Sequence, residues 1–303
     1  MTMKKIASLA MALGLTTSAL ACTIDGKEGF MPENDMFIPA HIKSGNGMTE
    51  ERFNQVIDEV EAVYAPIIAN LGKKLHIERN WKDGTVNAYA QQIGNTWKVA
   101  MFGGLARHQA VTADGFQAVI CHELGHHLGG APKKGSVSGG GGAWGGGAGN
   151  VTVSWASNEG QADYFATLKC LRKVWISDDN VQIASRLNAP KTVLDACNKS
   201  YKGNRDEIAM CVRLSMAGYS LSNVLNSSRT PTSFDTPDPK VVSSTNHNHP
   251  QGQCRLDTYF QGALCDVSMN VDVSQTDETV GTCNRSTGHS VGVRPLCWFK
   301  PAN

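Results

Sequence analysis

Residues 122–126 read His-Glu-Leu-Gly-His, and this pentapeptide constrains the fold more than any other feature of the sequence. Residues four apart on an α-helix lie on one face, so His122 and His126 can reach a single metal ion. The hydrophobic residues of segment 112–128 recur at helical spacing, which gives this helix an apolar side to bury. The pattern therefore predicts a core helix that carries a metal site, with Glu123 beside the two histidines.

A catalytic zinc ion needs a third protein ligand and an open coordination position. The extended pattern HExxHxxGxxH would supply a third histidine, but that position is Pro132. The alternative is a carboxylate on a second predicted helix, at residues 157–171. Glu159 and Asp163 are one turn apart there, so Glu159 can bind the metal and Asp163 can accept the other N–H of a ligating histidine. The sequence thus predicts one zinc ion per chain, held by His122, His126 and Glu159.

The first 21 residues have the features of a signal peptide. Lys4 and Lys5 precede an uncharged, apolar or small run at residues 6–20, and residues 19–21 form an A-x-A cleavage site. This run is short for a membrane span, which needs ~20 apolar residues. No later segment is long and apolar enough to form a transmembrane helix. We therefore expect an exported chain, periplasmic or secreted.

Nine cysteines suit an exported chain in which most of them pair. Because nine is odd, at least one is free or modified. Cys22 directly follows the cleavage site, where a bacterial lipoprotein carries its lipid, so a lipid anchor at Cys22 is the lesser alternative. If Cys22 pairs instead, Cys121 is the expected odd cysteine, because it lies inside the metal-site helix.

The rest of the chain predicts an α+β fold with a helical C-terminal half. Segment 49–71 has helical periodicity and begins at Thr49, a capping residue. The expected domain spans residues 22–267 and includes a glycine-rich loop at 130–150, and a cysteine-containing extension follows at 268–303. Strands are predicted at residues 75–81, 86–91 and 97–102, and a last helix at 255–264. With a net charge of +1, the chain shows no nucleic-acid footprint.

Four motifs in order resemble the zinc metallopeptidases of the CAAX prenyl protease and HtpX heat-shock protease type. Residues 87–90 (Asn-Ala-Tyr-Ala) are similar to the family's strand motif, and residues 122–126 are its HExxH helix. Residues 159–163 match the ExxAD ligand helix, and His249-Pro250 followed by Arg255 resembles its late HP…R element. The resemblance implies a zincin-like fold of the glutamate-ligand (gluzincin) class, in which a small sheet packs on the HExxH helix and the second ligand helix.

This resemblance also implies roles that spacing alone does not. The strand formed by Asn87, Ala88, Tyr89 and Ala90 would pair with the substrate backbone. His249 would stabilise the oxyanion, and Arg255 would support the site from behind the ligands. The expected reaction is hydrolysis of polypeptides by a zinc-activated water, with Glu123 as general base. A zinc-binding periplasmic chaperone or assembly factor with weak or self-inhibited proteolysis is the alternative.

Overall fold

The computed structural model describes residues 27–138, 150–226 and 230–301. The predicted signal peptide at 1–21 and Cys22 lie outside these ranges. Helices and small sheets alternate, which agrees with the predicted α+β class. The strands are β1 (Lys27–Gly29), β2 (Lys74–Asn80), β3 (Ala88–Ile93), β4 (Thr96–Phe102), β5 (Lys133–Ser138) and β6 (Asn150–Ser157). The helices are α1 (Glu50–Asn70), α2 (Gly103–Arg107), α3 (Ala113–Leu128), α4 (Glu159–Phe165), α5 (Leu171–Val174), α6 (Asn180–Ala184), α7 (Lys191–Ser200), α8 (Arg205–Val224) and α9 (Gly252–Leu264).

Helix α1 forms where the sequence predicts it. The Thr49 side chain accepts a hydrogen bond from the Arg52 N–H and so caps the first turn. Gly72, with φ of 72°, takes the left-handed conformation just after the last turn. The apolar face of the helix is fully buried in the main core and consists of Phe53, Val56, Ile57, Val60, Tyr64 and Ile68.

The main sheet has four strands in the order β1-β3-β4-β2. Strands β3 and β4 form an antiparallel hairpin, and β2 lies parallel to β4. Strand β1 pairs antiparallel with the other edge of β3, with Gly29 opposite Tyr89. The sheet contacts α3 through β3 and β4, so the predicted metal-site helix lies against it.

Helix α3 is buried on nearly all sides and contacts α1, α4 and α8. Helix α4 continues through a π-helical turn, Ala166–Cys170, into α5. Among the described residues, no helix is long and apolar enough to cross a membrane.

Four disulfides join cysteines of the described ranges: Cys121–Cys170, Cys197–Cys211, Cys254–Cys297 and Cys265–Cys283. Cys121, expected to be the odd cysteine if Cys22 pairs, is itself paired, so that expectation was wrong. Its side chain lies on the face of α3 that packs against the π-helical turn, where Cys170 meets it. This disulfide therefore links the two predicted ligand helices covalently. Two others tie the C-terminal extension to α9 at Cys254 and to Cys265, the residue that follows α9.

The loop expected at residues 130–150 contains more regular structure than its composition suggests. Strands β5 and β6 form an antiparallel ladder on its two sides, with a register shift between Lys133 and Gly135. This ladder is held by backbone hydrogen bonds, and the side chains of β5 do not alternate between apolar and polar. The sequence pattern therefore did not predict β5. Residues 139–149, including Trp144, lie outside the described ranges.

Candidate active site

Helix α3 presents both histidines of the HExxH motif to one point. Thr112 caps the helix by accepting a hydrogen bond from the Gly115 N–H. The rings of His122 and His126 are fully buried and meet edge to face, with centroids 4.8 Å apart. The spacing of one helical turn thus brings the two imidazoles together as predicted.

A hydrogen bond at Nδ1 determines which ring nitrogen of each histidine carries the proton. His126 Nδ1 lies 2.8 Å from the Ser157 carbonyl oxygen, which can only accept, so Nδ1 carries the hydrogen. His122 Nδ1 lies 2.7 Å from the Asp163 carboxylate. In a neutral ring this leaves the lone pair on Nε2, the form in which histidine binds a metal. Burial lowers the pKa of His126 well below its usual range, which favours that neutral form.

Glu159 enters the site from the first turn of α4. Asn158 caps the N-terminus of this helix. Its carboxylate oxygens lie 3.3 Å from His122 Nε2 and 3.7 Å from His126 Nε2. One ligand atom from each of the three side chains falls within 4.8 Å of the others. The structure therefore brings together all three residues predicted to bind zinc.

The three donor atoms are placed to share one metal ion. Within the described part of the chain, His122 Nε2, His126 Nε2 and Glu159 Oε2 are buried and have no hydrogen-bond partner. Leaving a buried polar atom unsatisfied costs roughly 1–3 kcal/mol each, so three at one point call for a shared partner. Two imidazole nitrogens and one carboxylate are a donor set of catalytic zinc sites. The residues present fit the implied metal.

Glu123 follows His122 on α3, and its side chain is fully buried. Both of its carboxylate oxygens lack a hydrogen-bond partner among the residues described. Burial raises the pKa of Glu123 to about 8. The carboxyl group thus feels the charges of His122 and Glu159 and is not engaged in any structural hydrogen bond of the described chain.

Asp163 and Arg255 form a buried ion pair behind the histidines. Arg255 donates to both oxygens of the Asp163 carboxylate, from Nε at 2.6 Å and from Nη2 at 2.7 Å. The Tyr259 hydroxyl also donates to Asp163. Burial opposes ionisation of Asp163, but the guanidinium outweighs it and holds the pKa of that carboxyl below its usual range. An ionised Asp163 can then hold His122 Nδ1–H.

His249 lies next to Glu159 at the donor set and is partly exposed. Its Nε2 is 3.4 Å from Glu159 Oε2 and donates to the Gly29 carbonyl oxygen at 2.8 Å.

Residues 88–90 lie in β3, and Asn87 just precedes that strand. The free edge expected there is paired with β1 of the same chain. The roles predicted for Asn87–Ala90 and His249 remain predictions.

Sequence reasoning missed Lys134. Its ammonium group donates to Glu159 Oε1 at 2.8 Å, from strand β5. Burial disfavours the charged form of Glu159, but interactions with His249 and with the Lys134 ammonium group lower its pKa well below the usual range. Lys134 lies in a segment that the composition marks only as a loop, so no periodicity or motif pointed to it.

Gly125→Ala is expected to destabilise the contact between the two ligand helices. An added Cβ would lie 2.9 Å from the Ala162 Cα, so α4 would have to shift. Overpacking of this kind typically costs 1–3 kcal/mol, more than the ~1 kcal/mol that alanine gains over glycine in a helix. Urea unfolding of the variant measures the loss. Gly45→Ala, where the added Cβ has no atom within 4 Å, is the matched control. Unchanged stability of Gly125→Ala would contradict the close packing.

The donor set forms a candidate metal site, with two histidines from one helix and glutamates from that helix and the next. Residues 50–138 match the family model of Peptidase family M48. The match runs from α1 through the HExxH helix and ends before Glu159. It confirms the predicted resemblance to zinc metallopeptidases of the HtpX and CAAX protease type, and it supports a metallopeptidase hydrolase rather than the alternative of a chaperone. No curated protein and no solved structure matches the chain.

Proposed function

We propose that this chain is an exported zinc metalloendopeptidase that hydrolyses peptide bonds within polypeptides. The observation that carries the proposal is the convergence of His122, His126 and Glu159 on one point. Their donor atoms are buried there, beside the unengaged carboxylate of Glu123. The four disulfides are compatible with export. The family match supports the metallopeptidase class.

His122, His126 and Glu159 would hold the zinc ion, in a site of the gluzincin class. Bound zinc would polarise the scissile carbonyl and lower the pKa of a coordinated water to about 7. Glu123 takes a proton from the attacking water and passes it to the leaving amine. His249, whose Nε2–H points at a carbonyl oxygen in the structure, donates to the oxygen that becomes negatively charged.

The remaining residues position these groups. Asp163 holds His122 in the tautomer that leaves Nε2 free, and Arg255 keeps Asp163 ionised. The edge of β3 that β1 covers in the structure would offer its backbone groups to an extended polypeptide, which would bind by adding a strand in place of β1. The substrate class is therefore an unfolded or flexible segment of a protein.

Removing the metal should abolish hydrolysis reversibly. Treatment with 1,10-phenanthroline is expected to stop casein degradation by the purified protein. Dialysis followed by one equivalent of Zn²⁺ should restore it, while Mg²⁺ should not, because imidazole ligands favour zinc over magnesium. Release of acid-soluble fragments measures the rate. Activity that survives complete removal of zinc would contradict the proposal.

A further inference from the structure

The N-terminal segment, residues 27–31, occupies the edge of β3 at which the proposed substrate would bind. Lys27 to Gly29 pair antiparallel with β3, and the Phe30 N–H donates to the Ala88 carbonyl oxygen at 2.9 Å. The backbone ladder ends there. The next N–H, that of Met31, donates to the side-chain oxygen of Asn87 at 3.0 Å. A peptide recognised by strand addition obtains its main-chain hydrogen bonds in this way. The segment thus binds as a substrate backbone would.

The peptide bond between Gly29 and Phe30 lies beside the donor set. The Gly29 carbonyl oxygen accepts from His249 Nε2 at 2.8 Å, and that same nitrogen is 3.4 Å from Glu159 Oε2. One residue further on, the Phe30 carbonyl oxygen accepts from Arg255 Nη1 at 2.6 Å. Two consecutive carbonyl groups are therefore held by site residues, and the first is held by the proposed oxyanion donor.

The Phe30 side chain fills a pocket against the metal-site helix. It is fully buried, and its ring meets the edge of the His122 ring with centroids 5.3 Å apart. The Arg255 guanidinium covers the ring at 4.7 Å. Gly29, by contrast, presents no side chain. The site thus accommodates a small residue before this bond and a large apolar residue after it.

We propose that the N-terminal segment is the enzyme's own substrate and that the site cleaves the Gly29–Phe30 bond. This inference rests on the proposed function. The oxygen of water joins the Gly29 carbonyl carbon, the C–N bond breaks, and Glu123 transfers the proton of the water to the Phe30 nitrogen. The second proton of the water also passes to this nitrogen, so the products are a carboxylate at Gly29 and an ammonium group at Phe30. Another substrate has to displace Phe30 from this pocket, which then selects a large apolar residue after the scissile bond.

The N-terminus of the purified protein tests the cleavage. Full-length wild-type chain and Glu123→Gln are expressed in the same host and examined by intact mass and N-terminal sequencing. Wild type is expected to begin at Phe30, and Glu123→Gln to retain residues before it. If both begin at Phe30, another protease makes the cut and the proposal is wrong. If wild type retains those residues yet degrades casein, this proposal is overturned while the peptidase function stands.

Synthetic peptides test the pocket without relying on the folding of a variant. The peptide of residues 23–34, incubated with wild-type protein, should be cut between Gly29 and Phe30. Phe30→Ala in this peptide should slow cleavage by more than about 100-fold, since the pocket loses a whole aromatic side chain and even one methylene counts for 10- to 200-fold. Glu33→Gln, at a position exposed in the protein, is the control and should be cut at the unchanged rate. Equal cleavage of the Phe30→Ala peptide would overturn the assignment of the pocket.

Discussion

Glu123→Gln is expected to slow casein hydrolysis by about 10²- to 10⁴-fold, the usual contribution of a general base. The amide has the size of the carboxylate but cannot accept a proton. The wild-type carboxylate is buried and has no hydrogen-bond partner within the described ranges, so its replacement breaks no bond seen in the fold. Initial rates of fragment release at matched protein concentration measure the effect.

Two controls separate loss of the base from loss of the site. The zinc content of Glu123→Gln should equal that of wild type, because Glu123 is not one of the proposed ligands. Glu51→Gln makes the same chemical change at an exposed position on the first turn of α1 and should retain full activity. Wild-type rates in a zinc-loaded Glu123→Gln protein would remove Glu123 from the proposed mechanism.

Arg255→Met is expected to lower the free energy of unfolding by about 3–5 kcal/mol, the usual cost of removing one partner of a buried ion pair. The substitution leaves Asp163 ionised and fully buried, with only His122 and Tyr259 as its remaining partners among those described. It also removes the donor to the Phe30 carbonyl. Urea unfolding with the disulfides intact measures the change.

A second substitution distinguishes an unpaired charge from simple loss of packing. Asp163→Asn combined with Arg255→Met removes both charges, so the double variant should be more stable than Arg255→Met alone. Arg186→Met, at an exposed position, should change stability by less than about 0.5 kcal/mol. If the double variant is as unstable as the sum of both single changes, the charge pair is not the cause.

The metal site could be predicted because its determinants are local. Histidines one turn apart face the same way on any helix, and Thr112 and the apolar spacing mark that helix. Glu159 could be assigned because Asp163 follows it by one turn, and the two are held by α4 in the structure. Strands β2 and β4 and helix α1 were also placed within one or two residues of their observed ends.

What the sequence did not predict depends on contacts between distant segments. Strand β1 is three residues long, too short to show a period, and exists through pairing with β3. Cys121 was expected to be the odd cysteine if Cys22 pairs, because it lies inside the metal-site helix. Its partner, Cys170, follows 49 residues later on another helical segment. Lys134 reaches Glu159 from a hairpin that is defined by backbone pairing. None of these three features is encoded by a periodic pattern within a short stretch of sequence.

The zinc content of the purified protein tests the central claim most directly. After reconstitution with Zn²⁺ and removal of excess metal, elemental analysis should find about one zinc ion per wild-type chain. His126→Ala should bind almost none, whereas His76→Ala, at an exposed position on β2, should bind as much as wild type. A wild-type protein that retains no zinc, or a His126→Ala variant that retains a full equivalent, would contradict a shared site at His122, His126 and Glu159.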